Sequence, residues 1–174
     1  AQKTPLVALE LAACAHEAGL PPGVFQVVCG KASDLGAELL ENPRCRKITF
    51  TGSTEVGQLL IRGAAARVLP LSLGLGGHAP LIVFEDTDLD RAVEGTLAAK
   101  FRNTGQSCIA ANRVYVERGI AARFIDAFSA RVRALATGPG LEPGVDVGPL
   151  IDRAAIEKAR SHVADAVARG ARIV

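Results

Sequence analysis

Between residues 47 and 66 a strand-like run passes without a spacer through a glycine into an amphipathic helix, and few folds accommodate such a join. Lys47-Ile-Thr-Phe-Thr51 is rich in β-branched residues, Gly52-Ser-Thr-Glu-Val-Gly57 turns the chain, and apolar residues at helical spacing continue to about Ala66. Alternation of such short β-branched runs with helices points to an α/β architecture, with strands buried between helices. The alternation recurs elsewhere. Thr4 and Pro5 form an N-cap and first-turn pair for a helix over about 5–18, and Val24-Phe-Gln-Val-Val28 reads as a strand. Ser33 or Asp34 is expected to cap a short helix stopped near Pro43. Further strands are expected at 67–73, Leu81-Ile-Val-Phe84 and 113–117. Helices are expected from an Asp86-Thr-Asp88 cap to about Phe101, over about 119–136 and over 152–169, with a Gly/Pro-rich loop at 138–149 and what looks like the middle of a strand at Arg172-Ile-Val174.

Composition narrows the function classes. With 49% hydrophobic residues in 174, the chain has material for a sizeable core. Its 20 basic and 18 acidic residues are interspersed and give a net charge of +2, so no basic stripe points to nucleic acid or an anionic membrane. No apolar run reaches bilayer length and no secretory leader pattern is visible, which makes the cytoplasm the expected compartment. Small molecules or copies of itself are the expected partners. Cys14, Cys29, Cys45 and Cys108 form no C-x-x-C pair and no ligand spacing with His16, His78 or His162, so no metal site is expected. Three of these cysteines are expected to be buried apolar residues. The absence of Met and the abrupt ends suggest a piece of something longer.

Three segments carry chemistry. In Thr51-Gly52-Ser53-Thr54-Glu55-Val56-Gly57 the glycine and hydroxyls at a helix start make a cradle for a phosphate, since helix N-terminal amides and the dipole face the anion. The alternative is that Ser53 or Thr54 merely caps the helix. In Asn103-Thr-Gly105-Gln-Ser-Cys108-Ile109 a polar turn delivers a cysteine to the start of an apolar segment, where backbone amides can supply an oxyanion site. That is the setting of a thiol nucleophile, and equally of an inert cysteine. The third, Leu71-Ser-Leu-Gly74-Leu-Gly76-Gly-His-Ala-Pro80, contains the string G-x-G-x-x-A. A dinucleotide fingerprint requires a helix next, whereas Pro80 and Leu81-Ile-Val-Phe84 follow, so that reading fails.

In this order and spacing, the three segments resemble the aldehyde dehydrogenase superfamily over essentially the whole chain. Phe50 to Gly57 matches its F-T-G-S-x-x-x-G, Gly74-Leu75-Gly76-Gly77 its E-L-G-G, and Gly105-Gln106-Ser107-Cys108 its G-Q-x-C. His78-Ala-Pro80, Asp86-Thr-Asp-Leu-Asp90 and Lys100-Phe-Arg-Asn-Thr-Gly-Gln106 are most similar to the succinate-semialdehyde dehydrogenase branch. The resemblance implies the later part of a nucleotide-binding domain at 1–72 and the first part of the catalytic domain at 73–174. It also implies a Cys108 nucleophile whose backbone N–H joins the oxyanion hole, and NADP or NAD over Gly52 and Ser53, with Gly57 and the backbone of Leu75 contributing. Arg102, six residues before the cysteine, matches the arginine that binds a substrate's distal carboxylate. Ala1-Gln-Lys-Thr-Pro5 resembles the end of a K-P-A-x-x-T-P segment. This places Ala1 and Gln2 at the cofactor, with Gln2 where NAD-preferring members carry a ribose-binding glutamate. An uncharged side chain there does not repel a 2′-phosphate, so NADP is expected to be tolerated.

The pattern also departs from the family. The general-base glutamate that opens E-L-G-G is Gly74, so thioester hydrolysis is expected to be slow. The family's lysine, its oxyanion-hole asparagine and a later ribose-binding glutamate fall outside the chain, which corresponds to about a third of a usual subunit. So do the dimer-forming strands, although a full-length protein is expected to be a homo-oligomer. Ala110 stands where some members have a second cysteine, so no local disulfide forms. Three functions are compatible: an impaired semialdehyde dehydrogenase, an acylating dehydrogenase in which coenzyme A removes the acyl group, or a non-catalytic partial copy.

Overall fold

The computed structural model describes residues 3–174. They form α1 (Leu6–Glu17), α2 (Ala32–Glu41), β1 (Ile48–Gly52), α3 (Thr54–Ala65), β2 (Leu71–Leu75), β3 (Ala79–Val83), α4 (Leu89–Phe101), β4 (Ala111–Val116), α5 (Ala121–Arg133) and α6 (Arg153–Ala168). The chain divides into two compact units, Ala1–Gly76 and Gly77–Val174.

In the first unit β1, α3 and β2 make a β-α-β unit whose strands pair in parallel, Ile48 with Leu71, Thr51 with Gly74 and Gly52 with Leu75. Ile48, Leu60, Ala64 and Leu69 are buried between sheet and helix, with Leu40 of α2 and Phe50 packed against them. Gly63 lets α2 approach: a Cβ there would lie 2.6 Å from Leu40 Cδ1. Arg67, just past α3, donates to Leu40 O at 2.9 Å, Asn42 O at 2.8 Å and Cys45 O at 3.1 Å, and so ties the end of α2 to the end of α3.

The second unit repeats the arrangement. β3 and β4 pair in parallel, Leu81 with Val114 and Val83 with Val116, with α4 in the connection between them. Val83, Val93, Leu97, Ile120 and Phe124 form the buried core, and Phe124 stacks on Phe128 with ring centroids 5.6 Å apart. Asp88 caps α4 by accepting from Arg91 N at 3.0 Å, and Asp152 caps α6 by accepting from Ala155 N at 2.8 Å.

Several sequence expectations need correction. Val24–Val28 is not a strand. A strand requires a partner to take its backbone hydrogen bonds, none pairs with this segment among the described residues, and Val24, Phe25 and Val28 are exposed. The strand expected at 67–73 begins only at Leu71. Residues 67–69 instead turn back onto α3, with Val68 in the left-handed region at φ 50°. Lys31, not Ser33 or Asp34, is the N-cap of α2, without a side-chain cap bond, and the two hydroxyl and carboxyl residues sit inside its first turn. Residues 171–174 form no strand. The expectation of three buried cysteines also fails: Cys14 and Cys29 are exposed, Cys45 is half-buried, and all four thiols are free. No helix among the described residues is long and apolar enough to cross a membrane.

Candidate active site

The cofactor candidates of the first unit converge on one sheet edge. Gly52 ends β1 and is register partner of Leu75, and Gly74 lies opposite Thr51, so all four sit at the carboxyl ends of two parallel strands, where α/β folds present their ligand crevices. Gly52 has to lack a side chain, because a Cβ would run into the ring of Phe50. Ser53 follows as the N-cap of α3, its Oγ accepting from Val56 N at 3.3 Å. Capping and cradling are thus compatible, because the hydroxyl holds one amide while the helix start keeps its N-terminal dipole. Gly57 is buried for a packing reason: a Cβ there would meet Leu75 Cδ2 at 2.7 Å, so this glycine lets α3 lie on β2. Beside β1 lies a cavity of about 400 Å³ lined by Val28, Cys29, Gly30, Leu35, Phe50 and Thr51 among others. Of its lining residues, Phe50, Thr51 and Pro5 stand in segments that the sequence singles out. The others come from a loop and α2, whose approach to β1 is a tertiary event. Ala1 and Gln2 lie outside the described residues.

Gly74 is exposed, and its φ is outside the left-handed region, so nothing in the backbone demands glycine there. The position at which the resemblance expects the general base therefore presents a bare strand surface next to the Thr51 hydroxyl.

In the second unit Arg102 and Cys108 share the connection from α4 to β4. Arg102 opens a short 3₁₀ turn, Arg102–Gly105, and is exposed. Cys108 is exposed in the turn from Ser107 to Ala110, which is closed by Ala110 N donating to Ser107 O at 3.1 Å. Ala110 and Ala111 behind it are buried, so the thiol stands on a turn fastened to the start of β4. Asn112, next on β4, donates through Nδ2 to Gly77 O at 3.2 Å. Gln106 also matters structurally, although the sequence gives it no role beyond its place in the motif: its Oε1 accepts from Ile151 N at 2.9 Å. No cluster of three or more His, Cys, Asp or Glu suited to a metal occurs among the described residues.

Similarity to known proteins agrees with this arrangement. The sequence profile of the aldehyde dehydrogenase family matches residues 1–174. The chain is 53% identical over 174 residues to glutarate-semialdehyde dehydrogenase of Pseudomonas aeruginosa, covering 100% of the chain and 36% of that protein. It is 52% identical to the NADP(+) succinate-semialdehyde dehydrogenase of Escherichia coli, with the same coverage. The crystal structure of succinate-semialdehyde dehydrogenase from Burkholderia pseudomallei superposes with a TM-score of 0.97 at 48% identity, covering 100% of this chain and 36% of that one. The chain spans about a third of the length of these relatives. With the profile matched from end to end and half of the residues shared, the chain belongs to the aldehyde dehydrogenase family.

Proposed function

We propose that this chain is the segment of an NAD(P)-dependent semialdehyde dehydrogenase that carries the thiol nucleophile and part of the cofactor site, and that it lacks the base that turns the thioester over. The observation that carries the reading is Cys108, exposed on a turn held against buried Ala110 and Ala111, with Arg102 on the same connection.

The Cys108 Sγ attacks the aldehyde carbon, the carbonyl oxygen becomes the oxyanion of a thiohemiacetal, and the Cys108 backbone N–H is one of its donors. When bound, the nicotinamide dinucleotide supplies the hydride acceptor for oxidation to the thioester. The residues present suit that group: the carboxyl edge of β1 and β2 and the start of α3 with its capping Ser53 offer a helix N-terminus to a phosphate. The neighbouring cavity offers apolar walls from Val28, Leu35 and Phe50. Leu75, with Gly57 against it, brings backbone to the same edge, and the resemblance adds Ala1 and Gln2 to the cofactor site. Arg102 receives the distal carboxylate of a substrate such as succinate semialdehyde. An uncharged Gln2 admits NADP as well as NAD. Small aldehydes are the partners, and an intact subunit assembles with its own kind in the cytoplasm.

Gly74 has no group to activate water, so the thioester is hydrolysed slowly. The same feature supports a second reading, in which the thiol of coenzyme A removes the acyl group and no base at 74 is needed. Mixing the full-length protein with succinate semialdehyde and NADP or NAD distinguishes them. A burst of reduced cofactor equal to the enzyme, followed by slow turnover that coenzyme A does not accelerate, supports the hydrolytic reading. Acceleration with formation of the acyl-coenzyme A thioester supports the second. No burst with either cofactor leaves a non-catalytic partial copy.

A further inference from the structure

We infer that Gln106 is a positioning residue for Cys108, clamping the nucleophile's turn to the Gly148–Ile151 segment that leads into α6. The inference rests on the reading of Cys108 as nucleophile. Its starting point is the backbone between Arg102 and the thiol. Asn103 (φ 52°, ψ 44°), Thr104 (φ 59°, ψ 25°) and Gly105 (φ 72°) are left-handed in succession. A β-branched threonine is strongly disfavoured in that region, so such a run persists only where surrounding structure holds it.

Bonds inside the turn, Gln106 N to Asn103 O at 3.0 Å and Asn103 Nδ2 to Gln106 O at 3.1 Å, close it without fixing it to anything else. One bond from a segment more than forty positions later does fix it. Gln106 Oε1 accepts from Ile151 N at 2.9 Å. Gly148 lies beside Thr104, where a Cβ would come 3.7 Å from Thr104 Oγ1. The donating amide is itself well placed, because the next residue, Asp152, is the N-cap of α6. The turn bearing Cys108 is therefore fastened at both ends: to β4 through buried Ala110 and Ala111, and to the α6 lead-in through the Gln106 side chain. Nothing in the acyl-transfer chemistry requires the Gln106 amide. Its contribution is to set where Sγ stands, and errors of an ångström in a reacting group slow chemistry by large factors.

The test uses the full-length protein and the rate of the single-turnover burst of reduced cofactor with saturating succinate semialdehyde, together with the rate of Cys108 alkylation by iodoacetamide without cofactor. Gln106→Leu removes the acceptor, Ile151→Pro removes the donor, and Gln106→Glu keeps an acceptor oxygen at the same reach. The leucine and proline variants are each expected to slow the burst by about 10- to 100-fold with a much smaller change in aldehyde KM. The double variant is expected to match the worse single one within about twofold, because both remove one bond. Gln106→Glu is expected to recover most of the burst rate. A Gln106→Leu burst at the wild-type rate, or single losses that multiply in the double variant, would overturn the inference. Should the leucine variant fail to fold, Gln106→Glu and Ile151→Pro carry the test: loss in the glutamate variant equal to that in the proline one overturns it. A wild-type protein without a burst, or a Cys108→Ala variant that keeps one, sinks the nucleophile reading instead.

Discussion

Restoring a carboxylate at position 74 is expected to raise turnover by far more than it perturbs the fold. Gly74 lies in β2 opposite Thr51, with φ outside the left-handed region, so a side chain meets no backbone penalty. A Cβ built there lies 3.2 Å from Thr51 Oγ1, 3.7 Å from Thr51 Cγ2 and 3.8 Å from Phe50 O. Only the hydroxyl is tight, and it has to yield by a few tenths of an ångström. Thr51 is exposed, and turning its side chain off its preferred rotamer costs about 0.5–1.5 kcal/mol. Replacing a glycine inside a strand returns roughly 0.5–1 kcal/mol. The two nearly cancel, and the folded state is expected to be unchanged within about 1 kcal/mol. A positioned general base contributes about 10² to 10⁴ in rate, or roughly 3–5 kcal/mol of barrier. In stopped-flow measurements on the full-length protein, Gly74→Glu therefore leaves the burst in place and raises the steady-state rate after it. Gly74→Gln, equal in size and without the base, does not. Equal rates for the glutamate and glutamine variants, with both folded, would refute the placement of the base.

Other perturbations follow from single contacts. Arg102→Leu is expected to raise the KM for succinate semialdehyde by about 10- to 100-fold, the loss of a charged hydrogen-bonded pair, and to leave a neutral aldehyde of similar length nearly unaffected. Equal effects on both aldehydes would remove Arg102 from the substrate site. Arg67→Gln leaves two or three carbonyls of the α2 end without their guanidinium partner and is expected to cost about 3 kcal/mol in urea denaturation, with only part recovered by Arg67→Lys because an ammonium lacks the planar fork. Gly57→Val pushes into Leu75 Cδ2 and is expected to destabilise by about 1–3 kcal/mol; since Leu75 shares its strand edge with Gly52, the Kd for the cofactor should rise as well.

What the sequence revealed depended on how local the cause was. The run from Ile48 to Ala65 was legible because the strand, the glycine and the cap are chemical statements about neighbours: Ser53 caps α3 by reaching three residues on. Asp88 was legible for the same reason. Val24–Val28 was misread because β-branched composition states a willingness to pair, and pairing needs another strand. The helix α1 is apolar on nearly every side and buries no residue, so its periodicity could not say which face belongs inside. At the candidate site, Cys108 and Arg102 are expected from motif spacing, and the structure places both in the connection from α4 to β4. Gln106 has no role legible in the sequence beyond its place in the motif, because its partner Ile151 lies 45 positions later. Arg67, bonded to carbonyls 22 to 27 residues earlier, carried no signal beyond being an arginine at a helix end. The glycine at 74 is the opposite case: no backbone need marks it, and the meaning proposed for it comes from the resemblance to E-L-G-G alone.

The central claim is that Cys108 takes up the acyl group and, with glycine at 74, keeps it. Full-length protein mixed with succinate semialdehyde and NADP or NAD, quenched in acid after the burst and mapped by peptide mass spectrometry, tests this directly. The account predicts close to one succinyl group per chain, held as a thioester on the peptide containing Cys108, with Cys14, Cys29 and Cys45 unmodified. Reduced cofactor and free acid formed over many turnovers with no acyl group on Cys108, or an acyl group on another cysteine, would contradict it.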